Sequence, residues 1–182
     1  MKRVLLVAGV LFISVVSTAC INNFAVQELN TKAKTFIENG DYVSAVERLK
    51  SSIDLDASAF ESYYNLAVAY TKMDDYLNAF DNYKKVIELK PDFADGYFSL
   101  AVCEENLIVD IEKGSVDVRE DGSLTKTEGK LRKMSDINIK MVQDLKVDAV
   151  NNYEKYLSLS PSASDKDSVL ERITELKEES NN

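Results

Sequence analysis

Side chains that carry out catalysis are scarce in this chain of 182 residues. The sequence has no histidine, which removes the commonest general base and the commonest protein ligand for metals. Its two cysteines are Cys20 and Cys103, and no histidine is present to activate either thiol. Cys103 lies about one helical turn from Leu100 and Leu107, so we predict a buried, unreactive thiol. We therefore predict a protein that is not an enzyme and that needs no cofactor.

A segment rich in carboxylates is the remaining candidate for metal chemistry. Residues 117–128 surround an Asp-Gly turn and resemble the calcium loop of EF-hand proteins. The resemblance implies carboxylate ligands at Asp117, Asp121 and Glu128. Arg119 stands where a further oxygen ligand belongs and brings a positive charge into the site. We predict a solvated turn here, and the alternative is a calcium-responsive adaptor.

The charge of the chain argues against nucleic acid as a partner. There are 31 acidic and 22 basic residues, which give a formal net charge of −9. Binding to phosphates requires a basic patch, which an acidic domain disfavours. The carboxylates instead alternate with lysines, as on the solvated faces of helices.

Two apolar stripes at helical spacing in residues 60–93 organise the rest of the chain. Each stripe follows the spacing of one apolar helix face. The members of the two stripes are Tyr63, Leu66, Ala67 and Tyr70, and then Tyr76, Ala79, Phe80, Tyr83, Val86, Ile87 and Leu89. Pro91 cannot continue the second helix. This segment therefore predicts two helices joined by a short turn.

The same pattern recurs 34 residues earlier and again 34 residues later, where Ala67 corresponds to Ala33 and Ala101. Periods of this length are typical of solenoids built from repeats. The pattern resembles the tetratricopeptide repeat (TPR) family, and the matching residues are Tyr63, Leu66, Ala67, Tyr70, Ala79, Tyr83, Val86 and Pro91. The resemblance implies an all-α solenoid that binds a protein or a peptide.

The chain divides into repeats and a terminal helix. We predict a TPR solenoid in which the third repeat is split by an insertion at about 108–143, because its second helix reappears only near residue 147. The predicted units are repeats at 26–59, 60–93 and 94–163, followed by a capping helix and tail at 164–182.

The insertion is predicted to be a long helical hairpin. Residues 106–112 can prolong the first helix of the repeat, and 116–127 form a polar loop. Apolar residues spaced three and four positions apart then predict one helix from about 128 to 159. A helix of that length needs a surface to pack on. That surface is either its own hairpin partner or another molecule, so self-association through the inserted hairpin is an alternative.

The start of the chain resembles a bacterial lipoprotein signal peptide. A basic start, an apolar run over residues 4–16 and three small residues precede Cys20. The resemblance implies removal of residues 1–19, lipidation of Cys20 and a tether over 20–25. Two alternatives are cleavage by ordinary signal peptidase, which leaves Cys20 unmodified, and an uncut membrane anchor.

A lipoprotein signal implies a location in the cell envelope. Ile21 is not the aspartate that retains some bacterial lipoproteins in the inner membrane. We therefore expect the outer membrane, facing the periplasm or the cell surface, rather than the inner membrane. The predicted function is a lipid-anchored scaffold that binds another envelope protein or a peptide. An accessory factor of an outer-membrane assembly or pilus system is an alternative.

The TPR resemblance also implies where a partner binds, because the first helices of the pairs line a concave groove in that family. The groove positions of this chain are Asn30, Lys34, Glu61, Tyr64, Asn65, Val68, Asp95, Phe98 and Val102. The four aromatic and aliphatic members are expected to form an exposed strip, and Asn65 to bond a peptide main chain. The alternative is that the N-terminal segment or a neighbouring chain covers the strip. A basic clamp for C-terminal carboxylates is not matched, because Asp95 and Ser99 replace its lysine and arginine.

Overall fold

The computed structural model describes residues 22–128 and 133–180 of the chain. The predicted signal peptide at 1–19, Cys20 and the last residues of the tail lie outside the described residues. The elements in chain order are α1 (22–38), α2 (Tyr42–Leu55), α3 (Phe60–Thr71), α4 (Tyr76–Leu89), α5 (Ala94–Glu112), β1 (Val116–Val118), β2 (Leu124–Lys126), α6 (Asp136–Leu159) and α7 (Lys166–Ser180). None of the described helices is long and apolar enough to cross a bilayer.

The helices form a solenoid, in which each of α3 to α6 packs mainly on the helices before and after it in the chain. The pairs are α1 with α2, which share an apolar cluster, α3 with α4, and α5 with α6, and α7 then packs on α6. This arrangement confirms the predicted all-α TPR solenoid. Residues 22–25 already belong to α1, so they are helical where a tether was predicted.

Small residues allow the helices to approach closely. The alanines at the repeat positions all have 0% exposure, and they are Ala33, Ala45, Ala67, Ala79, Ala101 and Ala149. The turns inside the first two pairs are equivalent as well. Gly40 (φ +78°) and Asp74 (φ +55°) lie 34 residues apart and both adopt the left-handed conformation that ends a helix.

The insertion differs from the predicted polar loop and long helix. Helix α5 does continue to Glu112, but β1 and β2 then form an antiparallel hairpin that pairs Val116 with Lys126 and Val118 with Leu124. Apolar and polar side chains alternate in β1, as expected for a strand with one buried face. Val116 and Val118 are buried, and Asp117 between them points to the other face. The following helix begins only at Asp136, and residues 129–132 of its predicted first turns lie outside the described residues.

A serine cap fixes the start of α6. The Ser135 side chain accepts a hydrogen bond from the backbone N–H of Asn138, at 3.2 Å. A side-chain oxygen in this position satisfies an N–H group that has no partner within the helix. The cap stabilises a helix start at Asp136, and the predicted start near 128 was therefore wrong.

The β-hairpin folds back onto the second repeat. Leu124 packs against an apolar cluster that includes residues of α4, α5 and α6. The Lys126 ammonium lies 2.7 Å from the Asp75 carboxylate at the start of α4. The pKa of that carboxyl lies below its ordinary value because the hydrogen bonds from Lys126 and Asn78 outweigh the effect of burial. The apolar face of the insertion is thus covered by this chain, so its burial requires no second molecule.

Candidate functional site

A cavity of about 540 Å³ opens between α1, α3 and the turn that joins α2 to α3. We call it the N-terminal cavity. Four of the predicted groove residues line it, namely Asn30, Lys34, Glu61 and Asn65. Because α1 and α3 are the first helices of their pairs, the cavity lies where the TPR resemblance places the groove.

A buried polar network forms the floor of the N-terminal cavity. Asn30 Nδ2 lies 3.0 Å from Val26 O, 3.0 Å from Ser52 Oγ and 2.8 Å from Ser62 Oγ, so its two hydrogens are shared among three acceptors. Asn65 Nδ2 in turn donates to Asn30 Oδ1 at 2.9 Å. The sequence placed Asn30 among residues that contact a partner, but its amide is used to join α1, α2 and α3. Its role is therefore structural.

Asn65 keeps hydrogen-bonding capacity that faces the cavity. It is 8% exposed, and one of its two amide hydrogens is used by Asn30. Within the described part of the chain, Asn65 Oδ1 has no hydrogen-bond partner. A primary amide with a spare acceptor and a spare donor complements the N–H and C=O of a peptide main chain. Asn65 therefore has the groups that its predicted role requires, which is a hydrogen bond to the main chain of a peptide.

Carboxylates outnumber cations at the rim of the N-terminal cavity. Lys34 and Glu61 are exposed there, and Asp56 lies in the turn between α2 and α3. The Ser58 side chain and backbone N–H both donate to Asp56, at 2.6 and 2.8 Å, and these bonds lower the pKa of the carboxyl. The rim therefore carries two negative charges and one positive charge at neutral pH.

The predicted exposed strip does not form, because its aromatic members pack on neighbouring rings. The Tyr64 ring meets Phe93 and Tyr83 edge-on, with centroids 5.1 and 5.9 Å apart. The Phe98 ring lies 5.1 Å from Tyr156 and 5.8 Å from Tyr153. Aromatic side chains gain from burial and from edge-on contact. Both rings are half-buried parts of the helix packing, and neither is a free anchor for a partner.

The remaining predicted groove residues lie on α3 and α5. Val68 and Val102 are half-buried, and Asp95 is exposed in the first turn of α5. Val102 also lines a second cavity of about 400 Å³ between α5 and α7, which we call the C-terminal cavity. Val109 is 40% exposed in that cavity and was missed in the sequence. Val109 follows Val102 by seven residues, so the two lie on the same face of the helix. This spacing could have identified Val109 from the sequence.

Ionic and hydrogen bonds fix α7 beside the C-terminal cavity. The Arg172 guanidinium pairs with Glu105 of α5, and also with Glu175 at 2.7 Å. The Tyr153 hydroxyl donates to Glu105 at 2.6 Å. Burial first, and then this bond to a carboxylate, raise the pKa of Tyr153. Glu105 therefore links α5 to α6 through Tyr153 and to α7 through Arg172.

The EF-hand-like segment forms the β-hairpin instead of a loop between two helices. Asp117 is paired with Thr125, and Asp121 accepts bonds from the backbone N–H and the hydroxyl of Ser123, at 2.9 and 2.6 Å. Glu128 is exposed beyond β2. Among residues 22–128 and 133–180, no group of three or more carboxylate, cysteine or histidine side chains is placed to hold a metal ion. The geometry thus gives no support to the calcium alternative.

Two buried titratable groups lie in α5. Cys103 is 1% exposed and donates to the Tyr76 carbonyl at 3.3 Å, and burial raises the pKa of its thiol. Glu104 is 2% exposed, and its two oxygens accept from Asn152 Nδ2 at 3.1 and 2.9 Å. Burial raises the pKa of Glu104 to about 8. The buried thiol was predicted, whereas the buried carboxyl was not.

Family models match two overlapping parts of the chain. The model described as "Tetratricopeptide repeat" matches residues 60–93, and the model described as "TPR repeat" matches residues 33–74. No curated protein matches the chain.

Solved structures of TPR domains resemble most of this chain. The first TPR domain of Spaghetti (RPAP3) bound to an HSP90 peptide is 15% identical, with a TM-score of 0.59 and coverage of 82% of this chain and 90% of that one. The type III secretion translocator chaperone SycD of Yersinia enterocolitica is 13% identical, with a TM-score of 0.59 and coverage of 86% of each chain. The MamA protein is 21% identical, with a TM-score of 0.54 and coverage of 88% of this chain and 74% of that one.

These similarities agree with the helix pairs, the buried alanines and the equivalent turns described above. Residues 33–93 carry tetratricopeptide repeats, and the chain has the fold of a TPR solenoid.

Proposed function

We propose that this protein is a non-catalytic scaffold that binds a peptide segment of a partner protein in the N-terminal cavity. The observation that carries the proposal is the Asn65 amide, whose oxygen accepts no hydrogen bond from the described residues and is accessible from a cavity of about 540 Å³ between two first helices. An accessible amide oxygen of this kind can accept a hydrogen bond from the main chain of a ligand.

The charges around the cavity indicate which peptides fit. The HSP90 peptide bound by the RPAP3 domain has the sequence SRMEEVD, which ends in acidic residues. In this chain the cavity rim has Asp56 and Glu61 against Lys34 alone, and Asp95 follows on α5. These carboxylates repel an acidic ligand and attract a basic one. We therefore propose a neutral or basic segment as the ligand, in an extended conformation that presents its main chain to Asn65.

A bulky substitution in the cavity tests the proposal. Peptides selected from a random library on the full chain would be measured against variants by fluorescence anisotropy. Thr31 lines the cavity, so Thr31→Trp should fill its mouth and weaken binding by about tenfold or more, the loss typical of a disrupted anchor. Thr35→Trp is the matched control, since Thr35 is an exposed threonine one turn further along α1.

Each result has a defined meaning for the cavity. Loss of binding in Thr31→Trp with retention in Thr35→Trp supports the N-terminal cavity as the site. Equal binding by both variants would refute it. If binding then disappears when the exposed Val109 is replaced by aspartate, the C-terminal cavity is the binding site instead.

We further propose that the scaffold is held at a membrane of the cell envelope by a lipid on Cys20. The sequence of residues 1–20 supports this, because a cysteine directly follows an apolar signal segment that ends in small residues. Two or three acyl chains are sufficient for stable attachment. Cys20→Ala should move the protein to the soluble fraction or prevent its processing. Normal processing together with unchanged membrane association would contradict the lipid anchor.

A further inference from the structure

Phe24, in the first turn of α1, is the most exposed large apolar side chain of the described residues, at 70%. The sequence around it is uncharged. Residues 4–27 contain no charged side chain, whereas 29% of the whole chain is charged. An aromatic ring left in water forgoes the free energy that burial would give it. The start of α1 is therefore an uncharged end with an unburied ring, on a molecule that is otherwise acidic.

The same end of the first helix pair carries a second exposed apolar side chain. Leu55 is the last residue of α2 and is 41% exposed. Asn23 and Asp56 line one cavity, so the start of α1 and the end of α2 lie at the same end of the pair. Apolar contact at this end can therefore involve both helices, with Phe24 as the most exposed member.

Charged side chains limit how far this apolar end extends along α1. Glu28 follows Phe24 by about one helical turn, is exposed, and pairs with Lys32 at 2.6 Å. One turn corresponds to a rise of about 5.4 Å. A surface that covers Phe24 thus meets uncharged atoms over a depth of about one turn and charged groups beyond it. The interface of a bilayer has this profile, because it accepts apolar side chains to a depth of about 5 to 10 Å while charged groups stay in water.

The distance from Cys20 makes lipid the cover that is always available to Phe24. Phe24 follows Cys20 by four residues, and four residues of chain span at most about 14 Å. With the lipid proposed above on Cys20, the acyl chains lie in the bilayer and Phe24 lies within that distance of them. The layer of head groups on each side of a bilayer is about 5 to 8 Å thick. The ring can therefore reach the boundary between head groups and acyl chains.

We infer that the first turn of α1 is a membrane-contact surface and that Phe24 inserts into the bilayer interface. The inference rests on the lipid anchor proposed above and does not depend on the proposed peptide site. It also bears on that site, because Asn23 lines the N-terminal cavity. The contact would hold the cavity beside the lipid surface, where it meets segments of partners that are themselves attached to the membrane.

Tryptophan fluorescence tests the contact, because the chain has no tryptophan and Phe24→Trp introduces a single one. The processed protein, purified from membranes, would be reconstituted into phosphatidylcholine vesicles with bromine atoms near the upper end of the acyl chains. Bromine quenches only nearby tryptophan, so we expect quenching and a shift of the emission to shorter wavelength. Val43→Trp is the matched control, since Val43 is 62% exposed at the start of α2 and lies about 20 Å from Phe24 along α1. Its emission should match that of the same variant in vesicles without bromine.

Flotation of the same vesicles separates failure of the contact from failure of the anchor. Protein that floats with the vesicles while Phe24→Trp is not quenched would overturn the membrane contact and leave the lipid anchor standing. Equal quenching of Phe24→Trp and Val43→Trp would overturn a contact restricted to the first turn, because α1 would then lie along the bilayer. Protein that does not float carries no lipid anchor, so both the anchor and the contact would be wrong.

Discussion

The buried Glu104 should make the folded protein less stable as the pH rises through the neutral range. The pKa of this carboxyl is raised from its ordinary value of 4.5 to about 8, mainly by burial, and the nearby Asp148 contributes in the same direction. The folded chain therefore holds a proton that the unfolded chain has already released. Stability is highest where Glu104 is neutral in both states, and it falls as the pH rises towards the folded pKa.

The size of the effect follows from the displacement of the pKa. Each unit corresponds to about 1.4 kcal/mol, so complete ionisation of Glu104 in place costs about 3 to 5 kcal/mol. Between about pH 6 and pH 8 the free energy of unfolding should fall by about 2 kcal/mol. The sequence has no histidine, so no side chain with an ordinary pKa titrates in this range.

Urea unfolding followed by circular dichroism at about pH 6, 7 and 8 measures this slope. Glu104→Gln should remove the decrease, because glutamine has no charge to desolvate and Asn152 can rotate its amide to bond it. Glu47→Gln, at an exposed position in α2, should leave the slope unchanged. If the free energy of unfolding falls equally with pH in the wild type and in Glu104→Gln, ionising the carboxyl costs no stability. That result would refute the reasoning.

Three further predictions concern the turn, the helix contacts and calcium. Gly40→Ala should lower the free energy of unfolding by about 1 kcal/mol in urea titrations, because φ is +78° at this position. Ala79→Leu should cost about 1 to 3 kcal/mol, seen as a lower Tm, because Ala79 is 0% exposed, whereas Lys84→Leu on the exposed side of α4 should change the Tm little. Calcium should leave the Tm unchanged, and a rise in Tm that Glu128→Gln abolishes would restore the calcium alternative.

The solenoid could be predicted because its determining contacts recur along the sequence. Ala45 and Ala79 are fully buried at equivalent places, and small residues at such spacing identify where helices touch. The first repeat likewise has Gly40 where the chain must turn. Local patterns of this kind need no knowledge of distant residues.

The insertion was only partly predictable, because short strands and caps give weak sequence signals. The Val116-Asp117-Val118 alternation spans three residues, which is too short to separate a strand from a loop by pattern alone. The helical spacing after residue 128 suggested a longer helix than α6. The Ser135 cap that stabilises the observed start is a single residue, and it was outweighed in the sequence by that spacing.

The candidate site was the least predictable part, because its geometry depends on contacts between repeats. Asn30 lies at a groove position, yet its amide is used by Ser52 and Ser62, which are 22 and 32 residues away. The rings of Tyr64 and Phe98 are held by residues of other helices. A helical periodicity gives the face on which a side chain lies, but not which neighbour meets it there.

The split third repeat has a consequence for the order in which the chain folds. The turn between α3 and α4 has only a few residues, whereas α5 and α6 are joined by residues 113–135 and the bond from Asn152 to Glu104 spans 48 residues. Closing the longer loop costs about 1.5 kcal/mol more in chain entropy. Contacts between residues far apart in sequence also form more slowly. We therefore expect α1 to α4 to fold first and to serve as a template, and α5, α6 and α7 to dock onto it afterwards.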